Sequence, residues 1–328
     1  MQQTNTRRLL LGSIAAAAAA LLAPVAHAQT QPAKSVAVTA LVDHPALDAV
    51  RKGVEDELKA QGWIAGKNLK YQYQSAQGNT ATTSQIARKF VGDKPDVIVP
   101  IATSSAQAVA AATNSIPIVF SAVLDPVAAK LVKDLKAPGG NVTGVSHRLP
   151  METQVDLILK VMPTAKRVGS VYSPGEINST ITLTDLKGKL AQRGMTLVEA
   201  AAPRTTDIPA AAKSLAGKVD IIYSTTDNNV VSAFESVAKV AADAKLPIVA
   251  ADSGTVKRGA IAAFGVDYYD LGRQTGQMVV RILKGAKPKD TPVETGRKTV
   301  LEINAKAARE QGIKLSDSFL KEGKIVVP

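Results

Sequence analysis

Short apolar runs alternate with segments of helical periodicity along most of the chain. Residues 36–41 form an apolar run, and residues 47–58 carry apolar side chains at helical spacing. The runs at 96–101 and 117–121 are also apolar, and they flank a helical segment at 104–113. Strands that are apolar on both faces and separated by single helices are typical of parallel βαβ units. The pattern therefore predicts a doubly wound parallel sheet.

The same alternation is repeated in the second half of the chain. Strand-type runs are found at 167–172, 195–200, 220–224 and 247–250, with helical segments at 177–193 and 230–244. Short stretches also match between the halves, since Ile116-Pro117-Ile118-Val119 is echoed by Leu246-Pro247-Ile248-Val249. These repeats predict an α/β protein with two similar lobes. A helix at 267–284 and a strand at 299–303 are too little for a third domain, so we expect them to return to the two lobes.

The first 28 residues have the pattern of a secretory signal. Arg7 and Arg8 precede an apolar run at 9–22, and Ala26-His27-Ala28 forms a cleavage site. The apolar run is shorter than the roughly 20 residues that a membrane-spanning helix needs. We expect export and cleavage after Ala28, by either the general or the twin-arginine route, since the arginine pair is found in both kinds of signal.

Composition narrows the function classes. The chain has 328 residues, of which 45% are hydrophobic and 21% are charged. It contains no cysteine. The absence of cysteine excludes disulfides, cysteine zinc sites and thiol catalysis. The net charge is +12, and +10 without the signal, which carries two arginines and no acidic residue. Because the basic residues are scattered without runs or interleaved aromatics, we expect no nucleic-acid partner.

The sequence shows no recognisable catalytic set. His44 and His147 are the histidines outside the signal, and neither lies in an H-E-x-x-H motif or has a G-x-S-x-G elbow to partner it. Both are interpreted as loop or hinge residues. We therefore expect no catalytic residue, no metal site and no cofactor.

Polar side chains cluster just beyond the carboxyl ends of the predicted strands, where doubly wound sheets bind ligands. In the first half they are Asp43, Thr103, Ser104, Ser105, Ser121 and Asp125. In the second half they are Ser173, Glu176, Asn178, Ser179, Thr226, Asp227, Asn228 and Asp252. Each of them taken singly also suits a helix N-cap. Together they predict two facing polar rims.

Two such rims suit a zwitterionic ligand. A carboxylate would lie at Thr103-Ser104-Ser105, where a helix N-terminus offers hydroxyl and backbone N–H groups. An ammonium group would lie near Asp227 or Asp252. Phe120, Tyr172, Tyr223 and Phe264 fall at strand ends, with core packing as their default role and stacking on a ligand as the alternative.

Several motifs in fixed order resemble a known family. They are Ala102-Thr103-Ser104-Ser105-Ala106-Gln107, Pro117-Ile118-Val119-Phe120 with Asp125-Pro126, Pro138-Gly139-Gly140-Asn141-Val142-Thr143-Gly144, Thr226-Asp227-Asn228 and Gly265-Val266-Asp267-Tyr268-Tyr269-Asp270-Leu271-Gly272. Over residues 35–315 the chain resembles the ABC-transporter substrate-binding family that includes tryptophan and aromatic amino-acid binding proteins. The resemblance implies a type I periplasmic-binding-protein fold, in which two lobes joined by a three-segment hinge trap the ligand.

The resemblance also implies boundaries and partners. The first lobe would comprise residues 34–143 and 267–292, and the second 144–266 and 293–328, with hinges near 142–145, 251–254 and 265–267. The expected protein is a periplasmic, monomeric receptor that delivers an aromatic amino acid to an ABC permease in the inner membrane. A purine or another heterocycle is the alternative ligand. An exported α/β hydrolase and the sensing domain of a gene regulator are the alternative protein classes.

Overall fold

A computed structural model describes residues 33–328, which form one compact unit. The predicted signal lies outside the described residues. In chain order the strands are β1 (Lys34–Ala40), β2 (Leu69–Ser75), β3 (Val97–Ile101), β4 (Ile118–Val123), β5 (Val142–Ser146), β6 (Arg167–Tyr172), β7 (Thr196–Ala201), β8 (Ile221–Ser224), β9 (Ile248–Ala250), β10 (Ala262–Val266), β11 (Glu294–Thr295), β12 (Thr299–Asn304) and β13 (Lys324–Val327).

The helices pack on both faces of the sheets that these strands build. In chain order they are α1 (Pro45–Ala60), α2 (Thr80–Asp93), α3 (Thr103–Ala112), α4 (Met151–Val161), α5 (Ile177–Gln192), α6 (Ile208–Leu215), α7 (Asn228–Ser232), α8 (Phe234–Ala244), α9 (Tyr268–Leu283), α10 (Ala305–Glu310) and α11 (Asp317–Glu322). The helix predicted over 230–244 is interrupted at Ala233, which separates α7 from α8.

Two sheets confirm the predicted α/β fold with two lobes. The first has the order β11-β5-β4-β3-β1-β2 and the second the order β13-β12-β10-β9-β8-β6-β7. Pairing is parallel throughout the first sheet, and in the second only β10 and β12 run antiparallel among the described strands. Strands such as β3 and β4 are buried along their whole length because helices cover both faces.

The chain passes between the sheets three times. The first passage follows β5, the second joins β10 to α9, and the third joins β11 to β12. Leu271 and Met278 of α9 lie in the same core cluster as Val36 and Val97, so this helix returns to the first lobe as expected.

The strand pairing differs by a few residues from the expected lobe boundaries. The boundary between residues 143 and 144 falls inside β5, which pairs with β4 as far as Ser146. The boundary between 292 and 293 precedes β11, whose Glu294 and Thr295 pair with β5 in the first sheet. The expected hinge at 251–254 is wrong, because it connects β9 and β10, which pair with each other in the second sheet.

Candidate ligand-binding cleft

The cleft lies between the lobes, beyond the carboxyl ends of the strands. One small cavity includes residues from both lobes. Its lining includes His44, Thr103, His147, Asn178, Thr226, Asn228, Asp252 and Tyr268. A second small cavity shares His147, Thr226 and Tyr268 with the first. The shared walls make the two cavities parts of one cleft.

The first-lobe wall is built around the start of α3. Ala102, the residue before the helix, has φ 73°, a left-handed conformation uncommon outside glycine, and so the chain turns sharply at the end of β3. The turn brings Thr103, the first residue of α3, to the cavity. Its Oγ1 is buried and has no hydrogen-bond partner in the described part of the chain. The free N–H groups of a first helical turn favour an anion at this place.

The second-lobe wall presents a buried carboxylate. Asp252 is 1% exposed and lines the cavity. Its Oδ1 accepts a hydrogen bond of 2.7 Å from the Gly254 N–H, while its Oδ2 has no hydrogen bond within residues 33–328. Burial raises the pKa of Asp252 to about 6. A cation placed beside this carboxylate would favour its ionised form.

Asp227 does not line the cavity, which corrects its expected role as the ammonium ligand. Its two oxygens accept hydrogen bonds from the Ser173 N–H (2.6 Å), the Ser173 hydroxyl (3.0 Å), the Ser179 hydroxyl (2.6 Å) and the Val230 N–H (2.9 Å). The carboxylate therefore caps α7 and ties it to the segments after β6. Of the two aspartates expected near the ligand ammonium, Asp252 lines the cavity and Asp227 does not.

Glu176 forms a second layer behind the cavity wall. Its carboxylate accepts hydrogen bonds from the Asn228 N–H (3.1 Å), the Asn229 N–H (3.2 Å) and the Asn178 Nδ2 (3.2 Å). Burial, followed by the charge of Asp227, raises the pKa of Glu176 well above its usual range. Asn178 and Asn228 themselves line the cavity, so Glu176 acts through them.

The other predicted site residues are engaged elsewhere. Asp43 accepts hydrogen bonds from the Tyr73 hydroxyl and the Gln77 amide. Ser121 is fully buried, with its hydroxyl 2.7 Å from that of Thr275 on α9. Ser105 is likewise fully buried, and Ser104 does not line either cavity. These residues share the strand-end position of the cleft residues without facing the cleft.

The aromatic residues divide between core and cleft. Phe120 is fully buried in the first lobe and Tyr172 packs on the core of the second. Tyr223 lines the second cavity, together with Leu124, Leu149 and Met151. Tyr268, at the passage from β10 to α9, lines both cavities, and sequence reasoning did not single it out as a ligand contact.

Both histidines face the cleft, although the sequence had suggested only loop or hinge positions. The His147 Nε2 lies 3.3 Å from the Thr226 hydroxyl oxygen, and its ring centroid is 6.3 Å from that of Tyr268. Burial lowers the pKa of His44 and of His147 to about 4, so both rings are neutral near pH 7. The position of His147 directly after β5 could have identified it as a cleft residue, because ligand contacts in such sheets lie at the ends of strands.

An arginine connects the lobes at the edge of the cleft. Arg148 follows β5 in the first passage, and its guanidinium pairs with Asp125, in the loop after β4. The same guanidinium lies 2.8 Å from Asp185 on α5 of the second lobe. This ion-pair group therefore spans the two lobes.

Within residues 33–328 no group of three or more histidine, aspartate or glutamate side chains could hold a metal ion. No helix in that same range is long and apolar enough to cross a membrane.

Comparison with known proteins places the cleft in context. The family model described as ABC transporter substrate binding protein matches residues 35–327. A tyrosine-binding protein of Clostridioides difficile (strain R20291) is 41% identical over 271 residues, which cover 83% of this chain and 79% of that protein.

Two solved structures superpose on this chain with different TM-scores. The structure of an ABC domain in complex with L-Trp from Streptococcus pneumonia has a TM-score of 0.86 at 37% identity, covering 90% of this chain and 100% of that one. A ligand-free, open structure of a substrate binding protein with adhesive properties from Clostridium difficile has a TM-score of 0.68 at 39% identity, covering 90% and 99%. At nearly equal identity, the chain superposes better on the ligand complex than on the ligand-free, open structure.

Proposed function

The chain belongs to the ABC transporter substrate-binding protein family, and we propose that it is an exported receptor for an aromatic amino acid. The observation that carries this proposal is the chemistry of the cleft. A helix N-terminus faces it from the first lobe and the Asp252 carboxylate faces it from the second. Opposite charges presented from opposite walls match the carboxylate and ammonium groups of a zwitterion.

The polar contacts of the ligand follow from this arrangement. The ligand carboxylate accepts hydrogen bonds from the Thr103 hydroxyl and the first N–H groups of α3. The ligand ammonium donates to Asp252, whose ionised form it stabilises in a buried place. Asn178 and Thr226 complete the polar lining beside these groups.

The aromatic side chain occupies the second cavity. Leu124, Leu149, Met151, Tyr223 and Tyr268 provide apolar and aromatic walls there. Aromatic rings pack favourably on such walls in offset or edge-to-face geometry. The relatives named for tyrosine and L-Trp support the same ligand class.

The partners follow from the family. We propose a periplasmic monomer, cleaved after Ala28, that delivers its ligand to an ABC permease in the inner membrane. The three passages would be the hinge, with residues 34–146 and 267–295 in the first lobe and the remainder in the second. Mass spectrometry of the exported chain and light scattering of the purified protein measure the mature N-terminus and the oligomeric state.

Calorimetric titration with tyrosine, tryptophan and phenylalanine tests the ligand class. The wild-type protein should bind at least one of them, and Asp252→Asn should weaken that binding by about ten- to a hundredfold, the value of one charge-assisted hydrogen bond. Asp43→Asn is the matched control, because Asp43 follows a strand but does not line the cavities. Tight binding of an uncharged purine, with no binding of the three amino acids, would falsify the proposal.

A further inference from the structure

The connection between β4 and β5 is an ordered loop with no regular secondary structure. Residues 124–141 contain neither helix nor strand, and loops of such length in compact domains are usually functional. Asp125 accepts hydrogen bonds from the N–H groups of Val127 and Ala128, at 3.1 and 2.9 Å. Leu131 and Val132 are buried in the core beneath the loop. The loop therefore presents its outer side chains in fixed positions.

A second exposed segment lies against this loop. The N–H of Val293 donates to the Leu135 carbonyl at 2.7 Å, and the N–H of Gly139 donates to the Lys289 carbonyl at 3.4 Å. These bonds join the β4–β5 loop to residues 284–293, which follow α9. The two segments form one continuous face of the first lobe.

This face is strongly basic, and we call it the lysine surface. Its exposed lysines are Lys130, Lys133, Lys136, Lys284, Lys287 and Lys289. Its exposed acidic residues are Asp134, whose carboxylate accepts from two backbone N–H groups of the loop, and Asp290. Of the six lysines, only Lys289 has a carboxylate within ion-pair distance in the described structure, namely Asp290. The surface therefore has unneutralised positive charge.

The lysine surface also exposes large apolar side chains. Val127 is 42% exposed and Leu135 is 45% exposed. They are two of the four large hydrophobic residues that are exposed within residues 33–328. Apolar side chains beside cations are a feature of surfaces that bind at a membrane interface.

We propose that the lysine surface binds the anionic headgroup region of a phospholipid membrane. Lysine ammonium groups are attracted to acidic headgroups, while Leu135 and Val127 enter the boundary between headgroups and acyl chains. Exposed aliphatic side chains among the lysines favour a lipid surface, which accommodates both kinds of side chain, over an acidic protein surface, which pairs with the cations alone. Such contact would hold the receptor near the membrane without a lipid anchor.

Sedimentation with lipid vesicles tests the proposal on the mature chain. The protein should bind phosphatidylcholine vesicles that contain about one-third phosphatidylglycerol, and should not bind phosphatidylcholine alone. The triple variant Lys133→Glu, Lys136→Glu, Lys287→Glu should lower the binding constant by roughly tenfold or more. The matched control is Lys213→Glu, Lys218→Glu, Lys314→Glu, which changes the net charge equally on the second lobe and should retain most of the binding.

A separate variant tests the contribution of the apolar side chains to vesicle binding. Leu135→Ser should weaken vesicle binding by roughly three- to tenfold without changing its salt dependence, because it removes no charge. Equal losses in the two triple variants would overturn the proposal in favour of nonspecific attraction. Absence of binding of the wild-type protein to the anionic vesicles would also overturn it.

Discussion

Asp227 and Asp252 both follow strands of the second sheet, yet their oxygens are used differently. Asp227 accepts four hydrogen bonds within the lobe, whereas Asp252 keeps one oxygen without a bond in the described structure. Sequence alone predicts that such residues lie at strand ends, because the strand pattern is plain. It does not predict which of them faces the cleft, since that depends on which hydroxyl and N–H groups lie within hydrogen-bond distance of each carboxylate in the folded chain.

We expect Asp227→Ala to destabilise the fold. Removing the carboxylate leaves the hydroxyls of Ser173 and Ser179 and two backbone N–H groups without their buried acceptor, at a cost of about 2–4 kcal/mol in the free energy of unfolding. Chemical denaturation of the ligand-free protein measures this loss. Asp43→Ala is the control and should cost less, because Asp43 is only partly buried. Loss of less than about 0.5 kcal/mol would show that water or other donors replace the network.

The buried histidines give a second prediction at this scale. The pKa of His147 is about 4 in the folded chain and 6.5 when exposed, so between these values the unfolded state binds more protons. The stability contributed by neutral His147 is therefore present above pH 6.5 and is lost as the pH falls toward 4, by about 3 kcal/mol in total.

Replacement of His147 by Gln should remove this pH dependence. The free energy of unfolding of the wild type, minus that of His147→Gln, should rise between about pH 4 and pH 6.5. Asp252 and Glu176 change stability in the opposite direction, since their raised pKa values favour the folded state at low pH. They are common to both proteins, so the difference isolates the histidine. A difference that does not vary with pH would contradict the low pKa.

At the scale of elements, the contact between α1 and α9 depends on glycine. A Cβ atom on Gly272 would lie 2.1 Å from the Val50 carbonyl oxygen, and one on Gly53 would lie 2.3 Å from the Tyr269 carbonyl oxygen. The two helix backbones thus approach too closely for any side chain at these positions. The cleft residue Tyr268 is the first residue of α9, so the position of its side chain depends on the same approach.

We therefore expect Gly272→Ala to separate the helices. The substitution should lower the free energy of unfolding by about 2–4 kcal/mol, because rigid backbone cannot move aside cheaply. Gly92→Ala in α2 is the matched control, since its Cβ would meet nothing within 4 Å. It should be neutral or stabilising by up to about 1 kcal/mol. Thermal and chemical denaturation compare the two, and equal effects would contradict the role of close approach.

Periodicity predicted most elements near the cleft to within a few residues. The strands expected at 117–121 and at 167–172 correspond to β4 and β6. Helix α4 has no counterpart among the expected elements, although Val155 and Ile158 lie at helical spacing within it. The short β11 could not be predicted, because two residues carry no period and because Glu294 pairs with Val145 of β5, which is distant in the sequence.

At the scale of the whole molecule, the lobes meet through few polar contacts. A Cβ atom added to Gly78 would lie 3.6 Å from the Asn229 side-chain oxygen, one added to Gly254 would lie 3.8 Å from the Pro45 Cβ, and Arg148 bridges Asp125 and Asp185. Sequence reasoning predicted two lobes from the repeated pattern. It could not place these contacts, since they depend on the angle between the lobes. Small contact sets of this kind allow hinge motion around a ligand.

The Arg148 group should stabilise the closed arrangement. Its guanidinium is 44% exposed, so solvent screens both ion pairs and each contributes only about 0.2–1 kcal/mol. Arg148→Gln should consequently weaken ligand binding by about two- to tenfold, chiefly through faster dissociation, because the pairs form after the lobes close. Stopped-flow dissociation measures this rate, and solution scattering should show a larger radius of gyration for the ligand-free variant than for the ligand-free wild type.

The matched control for Arg148 is Arg167→Gln. Arg167 pairs with Asp220 at 2.7 Å inside the second lobe, with similar exposure, and cannot resist opening. Its replacement should leave the dissociation rate unchanged. Raising the salt concentration should bring the wild-type dissociation rate toward that of Arg148→Gln, since screening weakens the same two pairs. If both arginine variants release ligand at the wild-type rate, the closed state is held by the ligand and the apolar walls of the cleft instead.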